Sequence, residues 1–380
     1  MRVLITGPAL DDPGGVANYY RTVLPVLRQD GRLNVDYLPI GRGGGGPALL
    51  RFLRDQRRLR QRLAETSPDL LHVNPSLNPK SFIRDGLFIR QAKRGGVPVV
   101  VFFRGWDEAF ADRIDGRWLS FFRHTYGRAD AFVVLASAFE ARLRTWGIQA
   151  PVERHTTVVD DSVASDEPAA QRPSAPLDAL PVRVLFMSRL LRAKGLLETI
   201  EAIRRLRARG RQVALTVAGT GEALQAAQAA VAAEPLLHGA VDFVGYVEGE
   251  DKRALLRRHR IFCLPTSHGE GLPNAVLEAM AAGLAVVAAP VGGLADILED
   301  GSTGRIVPPR DAERLAAALE ALLTDRQQLK EIAAFNRSYA RRHFLAGTVA
   351  EKLTTVYARV LWSEDADGTA LNEDAERKAI

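Results

Sequence analysis

Residues 182–210 read VRVLFMSRLLRAKGLLETIEAIRRLRARG, an apolar run followed by a longer segment in which apolar residues recur every three or four positions. The run from Val182 to Met187 predicts a buried strand. The recurring leucines and isoleucines predict the buried face of a helix that ends at Gly210. Units of this kind repeat as far as residue 323. Such strict alternation of strands and helices indicates a parallel sheet covered by helices on both faces.

The amino-terminal half repeats the pattern less regularly. Its predicted strands cover residues 3–6, 70–73, 99–103 and 131–135, and a glycine loop and a helix follow the first of them. We therefore predict an α/β protein of two Rossmann-like, doubly wound domains that face a central cleft. Ligands of open parallel sheets bind at the carboxyl ends of the strands, so that cleft is the expected binding site.

Composition along the chain suggests where the domains begin and end. We assign residues 1–172 to the first domain and 173–344 to the second, and we expect a helix near 345–362 to pack back on the first. Residues 166–180 are rich in Pro, Ala and Ser and predict a linker between the domains. The polar and acidic segment 363–380 lacks periodicity and predicts a disordered tail.

The overall composition is that of an ordinary globular protein, with 380 residues, 47% of them apolar and 25% charged. No stretch approaches the ~18 uncharged apolar residues that a membrane span needs, and the amino terminus has no cleavage pattern of a secretion signal. The one cysteine, Cys263, excludes an internal disulfide. Its apolar neighbours predict an inert core thiol. We therefore expect a protein of the reducing cytoplasm.

The net charge of +6 favours an anionic partner. In the densest basic run, residues 51–62, a helix would place Phe52, Leu53, Leu59 and Leu63 on one face, which predicts a packed helix with its arginines outside. The alternative is contact of those arginines with an anionic membrane surface, which would make the protein peripheral on the inner face of the cell membrane. The chain has no interleaved aromatics, zinc-ligand spacing or RNA-binding signature, so we expect no nucleic-acid partner.

Two glutamates bracket a turn and a helix start in the run Glu270-Gly271-Leu272-Pro273-Asn274-Ala275-Val276-Leu277-Glu278. Gly271 permits a tight turn and Pro273 suits the first helical position. The amide groups of Gly271, Leu272 and Asn274 then form a seat for a phosphate or a polar sugar. Carboxylates on either side of such a seat fit a ligand with hydroxyls at both ends and phosphates between them, which is the form of a nucleotide sugar. The alternative is a pair of solvated glutamates.

Two cations follow the strand that ends at Met187. A turn into a helix separates Arg189 from Lys194, so both side chains can converge on one point beside the amino terminus of that helix. Two cations at a helix amino terminus predict a diphosphate site. The alternative is that either residue is an ordinary surface cation.

The order of these motifs resembles that of the retaining GT-B glycosyltransferases of glycosyltransferase family 4. The resemblance covers most of residues 181–330, through Arg189 and Lys194, Ala218-Gly219-Thr220-Gly221-Glu222, Phe243-Val244-Gly245-Tyr246-Val247, Glu270 and Glu278, Gly283, and Val291-Gly292-Gly293. It is looser in the first half, through Gly14-Gly15-Val16, Pro68-Asp69-Leu70-Leu71-His72-Val73, and the strand from Val99 to Phe103 that leads into Arg104.

The resemblance implies a role for each matching residue. Arg189 and Lys194 would hold the donor diphosphate, Glu278 would bond the ribose hydroxyls, and Glu270 would contact the transferred sugar. The remaining donor-binding residues would line the nucleotide, the phosphates or the sugar: Gly14, Gly15, Gly219, Tyr246, Val247, Gly271, Leu272 and Asn274.

The resemblance also implies an activity, namely transfer of a hexose from a UDP- or GDP-sugar to a glycan or lipid-linked acceptor in cell-surface polysaccharide or glycoconjugate synthesis. The donor would be a substrate, and neither a metal nor another cofactor is expected. The acidic pairs Asp11-Asp12 and Asp160-Asp161 are interpreted as turn or cap residues. A nucleotide-sugar 2-epimerase of the same fold and a non-catalytic nucleotide-sugar-binding protein are the alternatives. A dinucleotide-dependent oxidoreductase would need a Gly-x-Gly-x-x-Gly run, and Gly7-Pro8-Ala9 does not fit it.

The chain departs from its relatives at Arg104, where they often carry a histidine. We hypothesise that Arg104 faces the donor or an anionic acceptor, and the alternative is a structural salt bridge with Asp107. The turn at the end of the first domain is also altered, so His155 is a weaker candidate. A lone histidine in such a loop more often makes turn hydrogen bonds.

Overall fold

The computed structural model describes residues 1–12, 14–41, 47–164, 181–269 and 271–362. The predicted linker at 166–180, the predicted tail at 363–380 and Glu270 lie outside the described residues. Within the described ranges, strands and helices alternate along both halves, and each half builds a six-stranded sheet. This arrangement confirms the predicted α/β architecture of two parallel-sheet domains.

The first half alternates strands and helices. Their bounds are β1 (Arg2–Gly7), α1 (Gly15–Gln29), β2 (Asn34–Pro39), α2 (Ala48–Thr66), β3 (Leu70–Val73), β4 (Ser76–Leu77), α3 (Pro79–Arg94), β5 (Val99–Phe102), β6 (Gly105–Trp106), α4 (Glu108–Arg113), α5 (Leu119–Thr125), β7 (Ala131–Val134), α6 (Ser137–Thr145) and β8 (Val152–Arg154). The main sheet has the order β2-β1-β3-β5-β7-β8, and all neighbouring strands run parallel. β4 and β6 form a separate parallel pair.

The second half continues the pattern. Its bounds are β9 (Val182–Met187), α7 (Leu196–Ala208), β10 (Val213–Ala218), α8 (Leu224–Ala232), β11 (Val241–Gly245), α9 (Gly249–Arg258), β12 (Ile261–Leu264), α10 (Asn274–Ala282), β13 (Ala285–Ala288), α11 (Leu294–Ile297), β14 (Gly304–Ile306), α12 (Ala312–Thr324), α13 (Arg326–His343) and α14 (Ala346–Trp362). The sheet order is β11-β10-β9-β12-β13-β14, again with parallel neighbours.

Several interior strands of the two sheets are buried along their whole length. Every residue of β3, β5, β7, β12 and β13 is buried. Helices cover both faces of such strands, so their sequences are continuous apolar runs rather than alternations of apolar and polar residues. This explains why short apolar runs predicted the strands.

The last helix, α14, returns to the first half and lies along α1. The Tyr357 hydroxyl is 2.6 Å from Nδ1 of the buried His72. Glu351 pairs with Arg32 at 2.6 Å. The first domain is therefore assembled from two separate parts of the chain.

The basic helix α2 buries most of the predicted face but exposes one of its four apolar residues. Leu59 is fully buried, whereas Leu53 is 52% exposed, so the prediction that Leu53 is buried is wrong. The helix instead buries Asp55, whose Oδ2 accepts a hydrogen bond from the Gly41 N–H at 3.1 Å. Residues two positions apart lie on opposite sides of a helix, so Leu53 is exposed when the Asp55 carboxylate faces the domain.

Helices of the described ranges are too short or too polar to cross a bilayer; none combines the length with the hydropathy that a span needs. Cys263 is buried, and burial raises the pKa of its thiol to about 12. The thiol therefore stays protonated at neutral pH and behaves as an inert core group, as its apolar neighbours predicted.

Candidate active site

The carboxyl ends of the two sheets meet at one interface. Thr157 lies beyond β8 of the first sheet, and Asn274 begins α10 beside the second. The Thr157 hydroxyl donates to Asn274 Oδ1 at 2.8 Å. A Cβ on Gly271 would lie 2.8 Å from Leu135 Cδ1, so a larger residue at position 271 would force this loop to shift. The domains therefore make close contact at the strand ends where the sequence predicted a cleft.

A second contact across this interface joins Ser137 to Asp296. The Asp296 carboxylate accepts hydrogen bonds from the backbone N–H and the hydroxyl of Ser137, both at 2.6 Å. Ser137 is the first residue of α6, so a carboxylate of one domain stabilises a helix amino terminus of the other. Sequence reasoning missed this pair because a cap from another domain leaves no local pattern.

Arg189 and Lys194 lie together beyond the carboxyl end of β9. Arg189 is exposed, whereas Lys194 ends a short 3-10 turn and is only 5% exposed. Burial and the positive charge of Arg189 lower the pKa of Lys194 to about 8. Two cations that repel each other while one is partly desolvated gain stability from a bound anion. The structure thus brings these predicted site residues together.

A backbone contact holds this cationic turn against the loop that follows β12. The Ser267 N–H donates to the Ala193 carbonyl at 2.7 Å. His268 lies nearby, and burial together with the charges of Lys194 and Arg189 lowers the pKa of its imidazole. His268 is therefore a neutral group beside the proposed diphosphate site at neutral pH. His268 was not among the predicted site residues, although it lies two positions before Glu270.

Glu278 is buried on the second turn of α10, with only 5% of the residue exposed. Burial raises the pKa of its carboxyl, and Lys252, whose Nζ donates to Oε1 at 2.8 Å, opposes that rise. This contradicts the alternative of a solvated glutamate at this position. Lys252 of α9 is a second residue that sequence reasoning missed, since it is 26 positions away from Glu278.

Two helix amino termini approach each other at the interface. α1 begins at Gly15 and α10 begins at Asn274, one position after the predicted Pro273. A Cβ on Gly15 would lie 3.8 Å from Asn274 Nδ2. The first amide groups of both helices lack intrahelical acceptors, so this part of the interface is suited to an anion. Gly14, with φ of 130°, precedes α1 in a conformation that favours glycine.

Arg104 follows β5 and lies at the same interface. Its Nη2 is 3.4 Å from the Thr157 hydroxyl, which in turn donates to Asn274. Its guanidinium lies 3.8 Å above the centre of the Tyr19 ring. The Nε and Nη1 atoms are buried and have no hydrogen-bond partner in the described part of the chain. Burial lowers the pKa of Arg104, which nonetheless remains a cation at neutral pH.

The predicted alternative for Arg104, a salt bridge with Asp107, is wrong. Asp107 is the cap of α4, where its Oδ1 accepts from the Phe110 N–H at 3.1 Å. The weaker candidate, His155, is buried, and its Nε2 lies 3.7 Å from a Glu153 oxygen. Its ring packs edge-on against Phe102, inside the first domain.

The residues predicted to contact the nucleotide follow β10 and β11. Gly219 has φ of 136°, and a Cβ there would lie 1.9 Å from the Ser188 carbonyl oxygen, so a glycine is required. Tyr246 is 71% exposed and Val247 is half-buried. These residues lie beyond the carboxyl end of the same sheet as Arg189.

The acidic pairs serve turns and caps. Asp12 accepts from the Ala9 N–H at 3.1 Å, Asp160 from the Ser162 N–H at 2.9 Å, and Asp161 from the Ala346 N–H at 3.1 Å. Within the described residues, His, Cys, Asp and Glu side chains form no group of three or more that could hold a metal ion.

Comparison with known families finds a match in each half of the chain. Residues 181–325 match the family model described as glycosyl transferases group 1, and residues 2–159 match the one described as glycosyl transferase 4-like domain. The phosphatidyl-myo-inositol mannosyltransferase of Mycolicibacterium smegmatis is 28% identical over 354 residues, which cover 86% of this chain and 86% of that enzyme. The amylovoran biosynthesis glycosyltransferase AmsK of Erwinia amylovora is 37% identical over 149 residues, covering 37% of this chain and 36% of that protein.

Solved structures share the fold at low sequence identity. The sucrose-phosphate synthase of Thermosynechococcus elongatus superposes with a TM-score of 0.75 at 18% identity, covering 95% of this chain and 99% of that one. Anabaena Alr3699/HepE in complex with UDP-glucose gives a TM-score of 0.73 at 18% identity, with 94% and 99% covered. At this identity the likeness concerns the fold alone.

Proposed function

From the premise that this chain is a glycosyltransferase with the GT-B fold, we propose that it moves a hexose from a nucleotide-diphosphate sugar to a glycan or lipid-linked acceptor with retention of anomeric configuration. The observation that carries the proposal is the buried Lys194 beside Arg189 at the carboxyl end of β9. Such an arrangement compensates the charge that grows on a departing diphosphate.

The proposed roles are those that the family resemblance implies for the matching residues. Arg189 and Lys194 hold the diphosphate, Glu278 accepts hydrogen bonds from the ribose hydroxyls, and Glu270 contacts the hexose. Reaction takes place on one face of the sugar, with the leaving phosphate helping to remove the acceptor proton, so no protein nucleophile is required. The names of the relatives support a hexosyl donor, since they include a mannosyltransferase and glycosyltransferases of colanic acid and amylovoran biosynthesis.

UDP-glucose is the ligand named for one structural neighbour, which supports UDP as the first nucleotide to test. GDP is the other nucleotide in the proposal. We place the reaction in the cytoplasm, in keeping with the inert Cys263.

Thermal unfolding with a panel of nucleoside diphosphates and their sugars tests the proposal directly. We expect one nucleoside diphosphate to raise Tm by several degrees, since a ligand at about 100 times its Kd adds ~2.7 kcal/mol to the free energy of unfolding. The matching nucleoside monophosphate is the control, because it lacks the β-phosphate that the two cations would contact. The absence of a shift with every diphosphate would count strongly against the assignment. Incubation with the donor alone then separates transfer from epimerisation, because an epimerase needs no acceptor.

Arg104 provides a prediction about the reacting sugar or the acceptor. We expect Arg104→Ala to lower kcat/KM by about 30- to 100-fold, since loss of a charged contact made in the transition state costs ~2–3 kcal/mol. Initial rates at varied donor and acceptor concentrations would show which substrate is affected. Thr157→Val is the control, because it removes the hydroxyl that contacts both Arg104 and Asn274 and leaves the guanidinium charge in place. Unchanged turnover and acceptor affinity in Arg104→Ala would exclude the role.

A further inference from the structure

The outward face of α2 carries an apolar patch, formed by Leu49, Leu50 and Leu53. These leucines are 66%, 61% and 52% exposed. The other large apolar residues that are exposed in the described ranges, namely Leu236, Val244, Tyr246 and Trp362, are distributed over other elements. Isolated exposed apolar residues are normal on a protein surface, but a contiguous group on one helix indicates a binding surface.

Helix geometry places the patch in line with a row of arginines. At 100° per residue, Leu49, Leu50 and Leu53 point to one side of α2, and exposed Arg57 and Arg60 continue that side toward the carboxyl end. The opposite side of the helix carries the buried Asp55 and Leu59 and packs on the domain. The exposed side is therefore apolar at one end and cationic along the rest.

The charge of α2 decides which partner fits this face. The helix has six arginines and two acidic residues, and one of the acids, Asp55, is buried. A second copy of the chain would bring an identical cationic face and would be repelled. Nucleic acid would satisfy the arginines and leave the leucines in water. An anionic bilayer satisfies both, because leucines enter the boundary between headgroups and acyl chains while arginines approach the lipid phosphates.

We propose that this face of α2 docks the protein on an anionic lipid bilayer. The surface belongs to the first domain, which is the proposed acceptor side, so docking would bring the cleft to a lipid-linked acceptor. The docking itself does not depend on the proposed transfer reaction. It is measured without donor or acceptor, so failure of one proposal is distinguishable from failure of the other.

The test is flotation of the full chain with vesicles of phosphatidylcholine alone or mixed with phosphatidylglycerol. We expect binding to the mixed vesicles only, and weaker binding as salt is raised. Replacing all three leucines with glutamine should lower the partition coefficient about tenfold or more, and Arg57→Gln with Arg60→Gln should lower it by a similar factor. The leucine variants separate insertion from simple attraction between charges.

Matched controls come from the second domain. Leu236→Gln removes one exposed leucine elsewhere and is compared with Leu53→Gln, and Arg258→Gln with Arg314→Gln removes the same charge as the α2 double variant. Both control variants should float like the wild type. Circular dichroism and thermal unfolding without ligand verify that every variant is folded.

Four outcomes would overturn the proposal. The first is that the wild type does not bind the mixed vesicles, and the second is that it binds phosphatidylcholine equally well. The third is that the triple leucine variant binds like the wild type. A dimer detected by light scattering and lost in the leucine variant would also overturn it, because it would assign the face to a second copy of the chain.

Discussion

Lys194→Ala is expected to lower kcat about 10²- to 10³-fold, the range found when a group that stabilises transition-state charge is removed. Lys194 is buried beside Arg189 at the carboxyl end of β9, and the diphosphate gains negative charge as the sugar departs. Steady-state kinetics with the donor identified by thermal shifts would measure the effect. Arg192→Ala is the matched control, because Arg192 is an exposed cation in the same short turn. Equal losses in the two variants would show that burial of Lys194 has no special importance.

The pH dependence of the wild type gives an independent readout of Lys194. Only the ammonium form compensates phosphate charge, and the pKa is lowered to about 8. The value of kcat/KM should therefore fall as pH rises through about 8, since this parameter reports the free enzyme. In Lys194→Arg the fall should disappear, because a guanidinium stays charged over this range. A decline that persists unchanged in Lys194→Arg would assign the titration to another group.

Glu278→Ala is expected to raise the donor Kd by about 10- to 100-fold with a smaller change in kcat, because hydrogen bonds to a charged group contribute ~1.5–3 kcal/mol each. The raised pKa of this carboxyl adds a pH effect. Donor affinity in the wild type should weaken as pH falls through that raised pKa, because the protonated carboxyl is a poorer acceptor for the ribose hydroxyls. Calorimetric titration with the nucleoside diphosphate measures both effects.

Glu270→Ala is compared with Glu278→Ala, because the two variants should affect different steps. If Glu270 contacts the transferred hexose, its loss lowers kcat and leaves the affinity for the sugar-free nucleoside diphosphate unchanged. Glu278→Gln, which retains an oxygen acceptor but no charge, should lie between the wild type and Glu278→Ala. Weaker binding of the sugar-free nucleotide in Glu270→Ala would contradict the assigned roles, since it would place Glu270 on the nucleotide.

The sequence predicted those parts of the site that depend on local structure. Arg189 and Lys194 converge because a single turn after one strand carries both. The start of α10 was predicted within one residue because Gly271 permits the turn and Pro273 restricts the backbone before the helix. The fold was predictable for a similar reason, since fully buried parallel strands have recognisable apolar runs.

The missed features all depend on contacts between distant elements. Lys252 reaches Glu278 only because α9 and α10 are packed together, and Ser137 meets Asp296 across 159 positions of sequence. In α2 the prediction fails at Leu53, which is exposed, while Asp55 is buried and accepts a hydrogen bond from the Gly41 N–H. Periodicity identifies an amphipathic helix, but it does not reveal a polar side chain that has a buried partner.

The return of α14 to the first domain has a consequence for biosynthesis. Tyr357 contacts the buried His72, and the Val159 N–H donates to the Phe344 carbonyl at 2.9 Å. A ribosome that has made residues 1–164 has therefore not yet supplied the helix that covers α1. The domain that is translated first is the last to be completed, and it must wait through synthesis of the entire second domain. A truncated chain that ends before α14 would leave an apolar side of α1 open to aggregation.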